Sequence, residues 1–466
     1  MLFSSLSFLF YFLPCLLILY FISPRTLKNP VLLIFSLLFY GWGEPRYVFL
    51  MISTVFLGYI GGLLIEKYKD KVLSKIFLIL SSAFILSFLL YFKYANFFIE
   101  NISLVTGIST KALNIVLPIG ISFYTFQILS YVIDVYRGDV KAQKNPVTLA
   151  TYVSLFPQLI AGPIVRYSDV ESQLLKREHS FEKTSTGIRR FICGLSKKII
   201  IANTLGELCK MFYASDEKSI LFFWLYAFSY MLQIYFDFSG YSDMAIGLGK
   251  IFGFDFMENF NYPFISRSIS EFWRRWHISL GTWFRDYVYI PMGGSRCKSG
   301  KLIINILTVW FLTGFWHGAA WNFVIWGLFF AVLLMAEKLL FASFLKKHPI
   351  FGRIYTLFLV TISFVIFSGE SANDIFMKLS GMFGLSNIPL ISQEFVYYLK
   401  SYFVIIIVGL VGATPLFRNF KEYMYKRKYT SVFMETIEIP ILLILLVICV
   451  SYLVDGSFNP FLYFRF

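Results

Sequence analysis

Two histidines are the residues best placed to do chemistry. His317 lies in LTVWFLTGFWHGAAWNFVIWGLFF, Leu307 to Phe330, a stretch without a single Lys, Arg, Asp or Glu. Ionisable groups in such surroundings are costly and usually face a cavity or a pathway. A buried imidazole tends to be neutral, the form able to accept a proton. Trp316 and Trp321 supply rigid apolar walls, and Gly314 and Gly318 would let a neighbouring backbone or a substrate chain approach closely. The plainer alternative is a packed histidine bonded to a neighbouring helix. His277 lies in SISEFWRRWHISLGTWFRDYVYIP, Ser268 to Pro291. Ser268 followed by Glu271 predicts a helix start, and Gly281 a stop. On that helix Trp273, His277 and Leu280 share a face, with Phe272, Trp276 and Trp283 beside them, while Arg274, Arg275 and Arg285 point elsewhere. The plainer reading of His277 is a hydrogen-bonded residue on a Trp- and Arg-rich interfacial helix.

What such histidines could do follows from what is missing. The five cysteines (Cys15, Cys193, Cys209, Cys297, Cys449) have no metal-ligand or disulfide spacing. There is no C-x-x-C, no Walker loop and no G-x-G-x-x-G, so neither a bound metal nor a bound cofactor is expected. Without a close pair of intramembrane carboxylates, a carboxylate proton relay also lacks parts. What remains is a base that deprotonates a hydroxyl attacking an activated acyl group, a step worth about 10²–10⁴-fold. A water-free site would protect the acyl donor from hydrolysis. The second histidine would orient the first or donate to the developing oxyanion; spacing does not rank these roles. FPQLIAGPIVR, Phe156 to Arg166, carries two prolines and a glycine and should break and re-enter. QIYFDFSGYSDMAIG, Gln233 to Gly247, sets Gln233, Asp237, Ser239, Ser242 and Asp243 beside apolar runs. The two carboxylates are expected to pair structurally with arginines such as Arg166 or Arg274.

The elements that must position these groups are apolar helices. Of 466 residues, 58% are hydrophobic and 20% aromatic, and the mean hydropathy is +0.68. Apolar runs recur from one end to the other, and a spanning backbone satisfies its polar groups by helix formation. The expectation is an all-α polytopic integral membrane protein of about ten to twelve transmembrane helices, with re-entrant and interfacial pieces, in a single domain, 1–466. The first run has neither a basic n-region nor a cleavage site and reads as a retained span. The net charge of +15 gathers in loops such as Lys67, Lys69, Lys71 and Lys75, which implies cytoplasmic placement beside membrane lipids and argues against nucleic acid. Lys183–Leu205 is amphipathic and could lie in the headgroup plane. No role is assigned to Gly369–Gln393.

Four strings, LFPQLIAGPIVRY, YFDFSGYSDMAIGLGKIFGF, SISEFWRRWHISLGTWFRDYVYIPMGGSR and LTGFWHGAAWNFVIWG, together resemble the membrane-bound O-acyltransferase family. The wording is closest to its bacterial branch, the AlgI-like alginate and peptidoglycan O-acetyltransferases. The likeness runs in order from about Leu117 to Leu328 and resumes in NPFLYFRF, Asn459 to Phe466. It implies that His317, in its W-H-G setting, is the catalytic histidine, and that His277 is the second polar position of the same reaction chamber. It also implies a central tunnel entered by donor and acceptor from opposite membrane faces, with Arg166, Asp237, Asp243, Arg274, Trp316 and Asn322 as lining or structural candidates. Tyr463 would be an acyl relay; the plain reading is an aromatic interfacial anchor. The implied donor is acetyl-CoA or another acyl thioester. The implied acceptor is an extracytoplasmic polysaccharide, reached through a secreted or membrane-anchored SGNH-type acetyltransferase partner at the bacterial cytoplasmic membrane. D-alanyl-transferring relatives share two of the motifs, but YVYIPMGGSR and the aromatic terminus resemble the acetyl branch more. A transporter or flippase of an envelope precursor is the alternative of another class; it lacks inverted repeats and a dense set of intramembrane charges.

Overall fold

The computed structural model describes residues 1–108, 111–113, 115–426 and 428–456. Tyr463 and the rest of Asn459–Phe466 lie outside the described residues. Every regular element among the described residues is helical, with no strand, as the apolar patterning requires. Among the described residues eight helices are long and apolar enough to cross a membrane, and Phe8–Ile22 is a shorter apolar helix. The other apolar runs form helices of 16 residues, Lys28–Gly43, and 17 residues, Ile121–Arg137. The chain is an all-α polytopic membrane protein.

Two compact units emerge, Met1–Phe191 with Met244–Met257, and Ile192–Asp243 with Glu258–Phe466. The first contains α1 (Phe8–Ile22), α2 (Lys28–Gly43), α3 (Val48–Lys67), α4 (Val72–Thr106), α5 (Ile121–Arg137) and α6 (Pro146–Ser154). Asn145 caps α6 by accepting from the backbone of Val147. The chain then breaks as Pro157, Gly162 and Pro163 predict: one turn, Phe156–Leu159, is followed by irregular backbone. This stretch is buried through Val165, and protein groups satisfy it. Ser36 Oγ accepts from Phe156 N–H at 3.1 Å, Gln158 Nε2 donates to Tyr152 O at 2.6 Å, and Tyr152 O–H donates to Val165 O at 2.9 Å. Irregular backbone at depth persists only where such partners exist.

The second unit is organised by α7 (Ile278–Phe284), α8 (Ser299–His317), α9 (Trp321–Ala336) and α10 (Pro349–Phe367) around a core rich in Phe, Tyr and Trp. Helices α8 and α9 form a tight hairpin. A Cβ on Gly314 would strike the carbonyl oxygen of Phe323, and one on Gly327 that of Trp310. The glycine flanking His317 on its N-terminal side therefore admits a neighbouring helix. Gly318 is closed off by the ring of Phe323.

Two sequence expectations are corrected here. The helix starting after Ser268 does not run on to Gly281. It spans Ile269–Arg275 and breaks, and α7 begins only at Ile278, with Gly281 inside it. The amphipathic stretch Lys183–Leu205 does not keep all of its basic side chains on a headgroup face. Lys197 and Lys198 turn inward, and Lys198 is only 2% exposed, because buried carboxylates require them.

Candidate active site

The broken helix explains how His277 is presented. Ser268 Oγ caps the first segment by accepting from Glu271 N–H at 3.0 Å. A second cap was invisible in the sequence: Glu337, 3% exposed, reaches across from the end of α9. Its carboxylate accepts from Ile269 N–H at 2.6 Å, Ser270 N–H at 3.0 Å and Ser270 O–H at 2.9 Å. The only sequence signal was a lone acid in an apolar run, in LLMAEKLLF. The segment ends at Trp276, and His277 takes φ +46°, ψ 54°. This left-handed conformation costs a non-glycine residue about 1–3 kcal/mol and persists only where the surroundings over-determine it.

Asn259 supplies that determination. Its carbonyl accepts from Ile278 N–H at 3.0 Å. Its side-chain Oδ1 accepts from Ser279 N–H at 3.3 Å and Ser279 O–H at 2.9 Å, and lies 3.2 Å from His277 Nδ1. A backbone N–H can only donate, so the amide oxygen is the atom facing this group. His277 Nδ1 must then carry a proton, which leaves Nε2 with its lone pair. Nε2 is buried and has no partner among the described residues. Burial pushes the His277 pKa well below its ordinary value, and the neighbouring His317 lowers it further. The ring is a neutral acceptor held in one tautomer.

His317 is the last residue of α8, not the middle of a span: the helix ends there and α9 resumes at Trp321. It is 4% exposed. Its ring packs edge-on against Trp316 and Trp326, each at 5.1 Å between centroids, and against Phe367 at 5.6 Å. Trp316 also lies 6.1 Å from the His277 ring, so both histidines border one indole. Phe238 closes the other side of His277 at 4.7 Å. Asn322 Nδ2 donates to the carbonyl of Phe367 at 3.2 Å and so fixes a wall of His317.

Two cavities approach this pair. One of about 790 Å³ reaches His277 and Thr313, one turn before His317 on α8, and carries Arg267, Arg274, Arg285, Lys338 and Lys346. Its acids are engaged: Glu271 pairs with Arg275 at 2.9 Å, and Glu337 caps Ile269. The other, about 850 Å³, is bordered by Asn322 and Phe367, with Tyr226, Tyr230, Gln233 and Glu370 among its lining.

The expected arginine–aspartate pairs are replaced. Asp237 pairs with Lys198 at 2.5 Å and Asp243 with Lys197 at 2.6 Å. Arg166 is held by Asp169, three residues on in its own helix turn, at 3.2 Å, and Arg274 Nε donates to Ser270 O. The lysines belong to a segment that packs beside these acids, whereas the arginines already have near neighbours. No group of three or more His, Cys, Asp or Glu able to hold a metal occurs among the described residues.

An all-helical membrane fold with two buried histidines bordering one indole, one of them lining a cavity, fits a membrane enzyme, and comparison with known proteins makes the class specific. The sequence pattern of the membrane-bound O-acyltransferase family matches residues 140–378. The chain is 39% identical over 500 residues to the "Probable alginate O-acetylase AlgI" of Azotobacter vinelandii, covering all of both proteins. It is 32% identical over 514 residues to the "Peptidoglycan O-acetyltransferase" of Helicobacter pylori, covering 100% of this chain and 98% of the relative. With the "Teichoic acid D-alanyltransferase" of Bacillus subtilis it shares 33% over 279 residues, 55% of this chain and 70% of that protein. The chain belongs to the membrane-bound O-acyltransferase family, in its AlgI-like branch, and is an O-acyltransferase.

Proposed function

We propose that this protein takes an acetyl group from a thioester such as acetyl-CoA on the cytoplasmic side of a bacterial cytoplasmic membrane and passes it toward hydroxyls of an extracytoplasmic polysaccharide. The observation that carries the reading is the pair of buried histidines bordering Trp316, approached by two cavities of different chemistry. The cavity that reaches His277 has a cationic lining suited to the phosphates of a nucleotide-bearing thioester. The cavity beside Phe367 has tyrosines, two amides, two acids and Lys210, suited to a hydroxyl-rich acceptor or an acceptor protein. The relatives named as O-acetylases match over the whole chain, the D-alanyl-transferring one over 55% of it, which favours acetyl.

In this mechanism His317 takes the proton of the attacking hydroxyl as its oxygen bonds to the thioester carbonyl carbon. The C–S bond then breaks, and the proton leaves with the thiol. His277 cannot donate from Nε2 to the oxyanion while Asn259 holds its proton on Nδ1. Its part is to accept a hydrogen bond that orients the reacting hydroxyl or the His317 ring. Tyr463 is a candidate carrier of acetyl to an SGNH-type partner.

Mass-spectrometric O-acetyl content of envelope polymers, compared between wild type, a deletion strain and the deletion complemented by His317→Ala, tests the reading. We expect acetyl to disappear in the deletion and in His317→Ala at undiminished protein level, and Tyr463→Phe to report on the relay. Unchanged acetylation throughout would remove this function.

A further inference from the structure

The first unit holds a cluster of cations that acyl transfer does not use. Arg25 lies in the turn between α1 and α2 and Lys28 opens α2, and Arg177, His179 and Lys183 lie ahead of and at the start of the helix Phe181–Ser196. Lys28, Arg177 and His179 converge on Tyr20. Lys28 Nζ sits 4.3 Å from the centre of that ring and Arg177 Cζ 5.7 Å from it. Tyr20 O–H donates to Phe252 O at 2.8 Å and is 3.3 Å from His179 Nε2. Arg177 Nη2 donates to Asn29 Oδ1 at 2.5 Å; Nη1 is buried with no partner among the described residues. A buried guanidinium N–H without an acceptor is a strong departure from normal practice. The one acid paired here, Asp255, is shared between Lys183 at 2.6 Å and Lys250 at 3.7 Å.

The charges on this cluster act against one another. Lys28 is lowered by burial and then by Arg177 and Arg25. His179 is pushed down to about 4 by burial and then by Lys28, Arg177, Lys183 and Arg25. Apart from Asp255 at the Lys183 edge, no acid is paired with these cations among the described residues, so the rest suit an anion from outside. Around them the surface is apolar: Phe21, Ile22, Leu27 and Leu175 are exposed, and Phe181 is 91% exposed. Basic heads within an apolar rim are what a membrane surface selects.

We propose that Arg25, Lys28 and Arg177 form a binding site for the phosphate of an anionic lipid headgroup, whose acyl chains lie along Phe21 and Ile22. Lys183 supports the site at its edge. None of these residues takes part in the acyl-transfer reading.

The test uses the full chain, purified in neutral detergent and titrated with phosphatidylglycerol, phosphatidylcholine or inorganic phosphate. Lipid retention is read by native mass spectrometry and stabilisation by thermal unfolding. Phosphatidylglycerol should be retained and should raise Tm, and phosphatidylcholine should do neither. Each charge removed, in Arg177→Gln or Lys28→Gln, should weaken retention about fivefold, while Lys71→Gln with Lys75→Gln leaves it unchanged. Should Arg177→Gln fail to fold, Arg25→Gln with Lys28→Gln, at the more exposed positions, carries the test. Equal retention of both lipids, or retention undiminished in these variants, overturns the site. Displacement of phosphatidylglycerol by inorganic phosphate with equal stabilisation overturns the lipid assignment in favour of a soluble phosphate.

Discussion

At the scale of single residues the informative feature is the tautomer of His277. Asn259 Oδ1 faces a backbone N–H and so cannot be exchanged for its own amide nitrogen without loss. It thereby fixes the proton on Nδ1 and the lone pair on Nε2. The imidazole's depressed pKa has a definite sign. Its neutral form is favoured in the folded protein, so its contribution to stability is present above about pH 6.5, the unfolded value, and is lost as pH falls toward the folded one. If neutral His277 is needed, the acid limb of the rate profile lies below pH 6.5. Asn259→Leu removes the acceptor and frees the tautomer. We expect kcat to fall between about tenfold and the roughly 10⁴-fold that a tautomer-fixing partner is worth in a serine-protease triad, with KM little changed. A variant whose KM rises while kcat and the acid limb stay put would show that Asn259 only supports the fold. The sequence offered His277 through its aromatic setting, but Asn259, in the polar ENFNY stretch 18 residues earlier, carried no pattern that marked it.

At the scale of elements, the site depends on where helices stop. The stretch from Ile269 to the stop at Gly281 read as one amphipathic helix because Trp273, His277 and Leu280 fall on one face at helical spacing. The chain instead breaks at Trp276, since the carbonyl and side chain of Asn259 compete for the groups that helix continuation would use. Local spacing does not report such a long-range competitor. The same holds for Glu337, an intramembrane acid that serves as a helix cap. It lies in α9's continuation, and its three accepted hydrogen bonds anchor the N-terminus of the segment that ends at His277. Glu337→Ala should strand one buried and one partly buried backbone donor and cost about 2–4 kcal/mol. Glu337→Gln keeps an acceptor and should cost less. Both are read as the temperature at which the detergent-solubilised protein loses its monodisperse elution peak. Equal melting of Glu337→Ala and wild type would mean that the cap is dispensable.

At the scale of the whole molecule, composition carried most of the fold. Repeated apolar runs specified helices because a spanning backbone has no other way to satisfy itself, and the Pro157–Gly162–Pro163 break was legible for the same reason. Which charges would meet was not legible, since pairing is set by packing between distant segments. Asp237 and Asp243 took Lys198 and Lys197 rather than arginines because those lysines point inward from an apparently interfacial stretch. The Lys198–Asp237 pair, 2% exposed on both sides, sits where unpaired charge is least tolerable. Removing one partner, as in Asp237→Ala, should destabilise by about 3–5 kcal/mol, whereas Lys198→Met with Asp237→Leu should be near neutral, because the pair's desolvation cost goes with it. Thermal unfolding of the two variants checks the first half of the argument. Transferase activity checks the second: a double variant that folds and still transfers acyl groups makes the pair purely architectural. One that folds as well as wild type but is inactive would place Asp237 in the reaction path, as its position beside Phe238, the ring that closes one side of His277, makes worth testing.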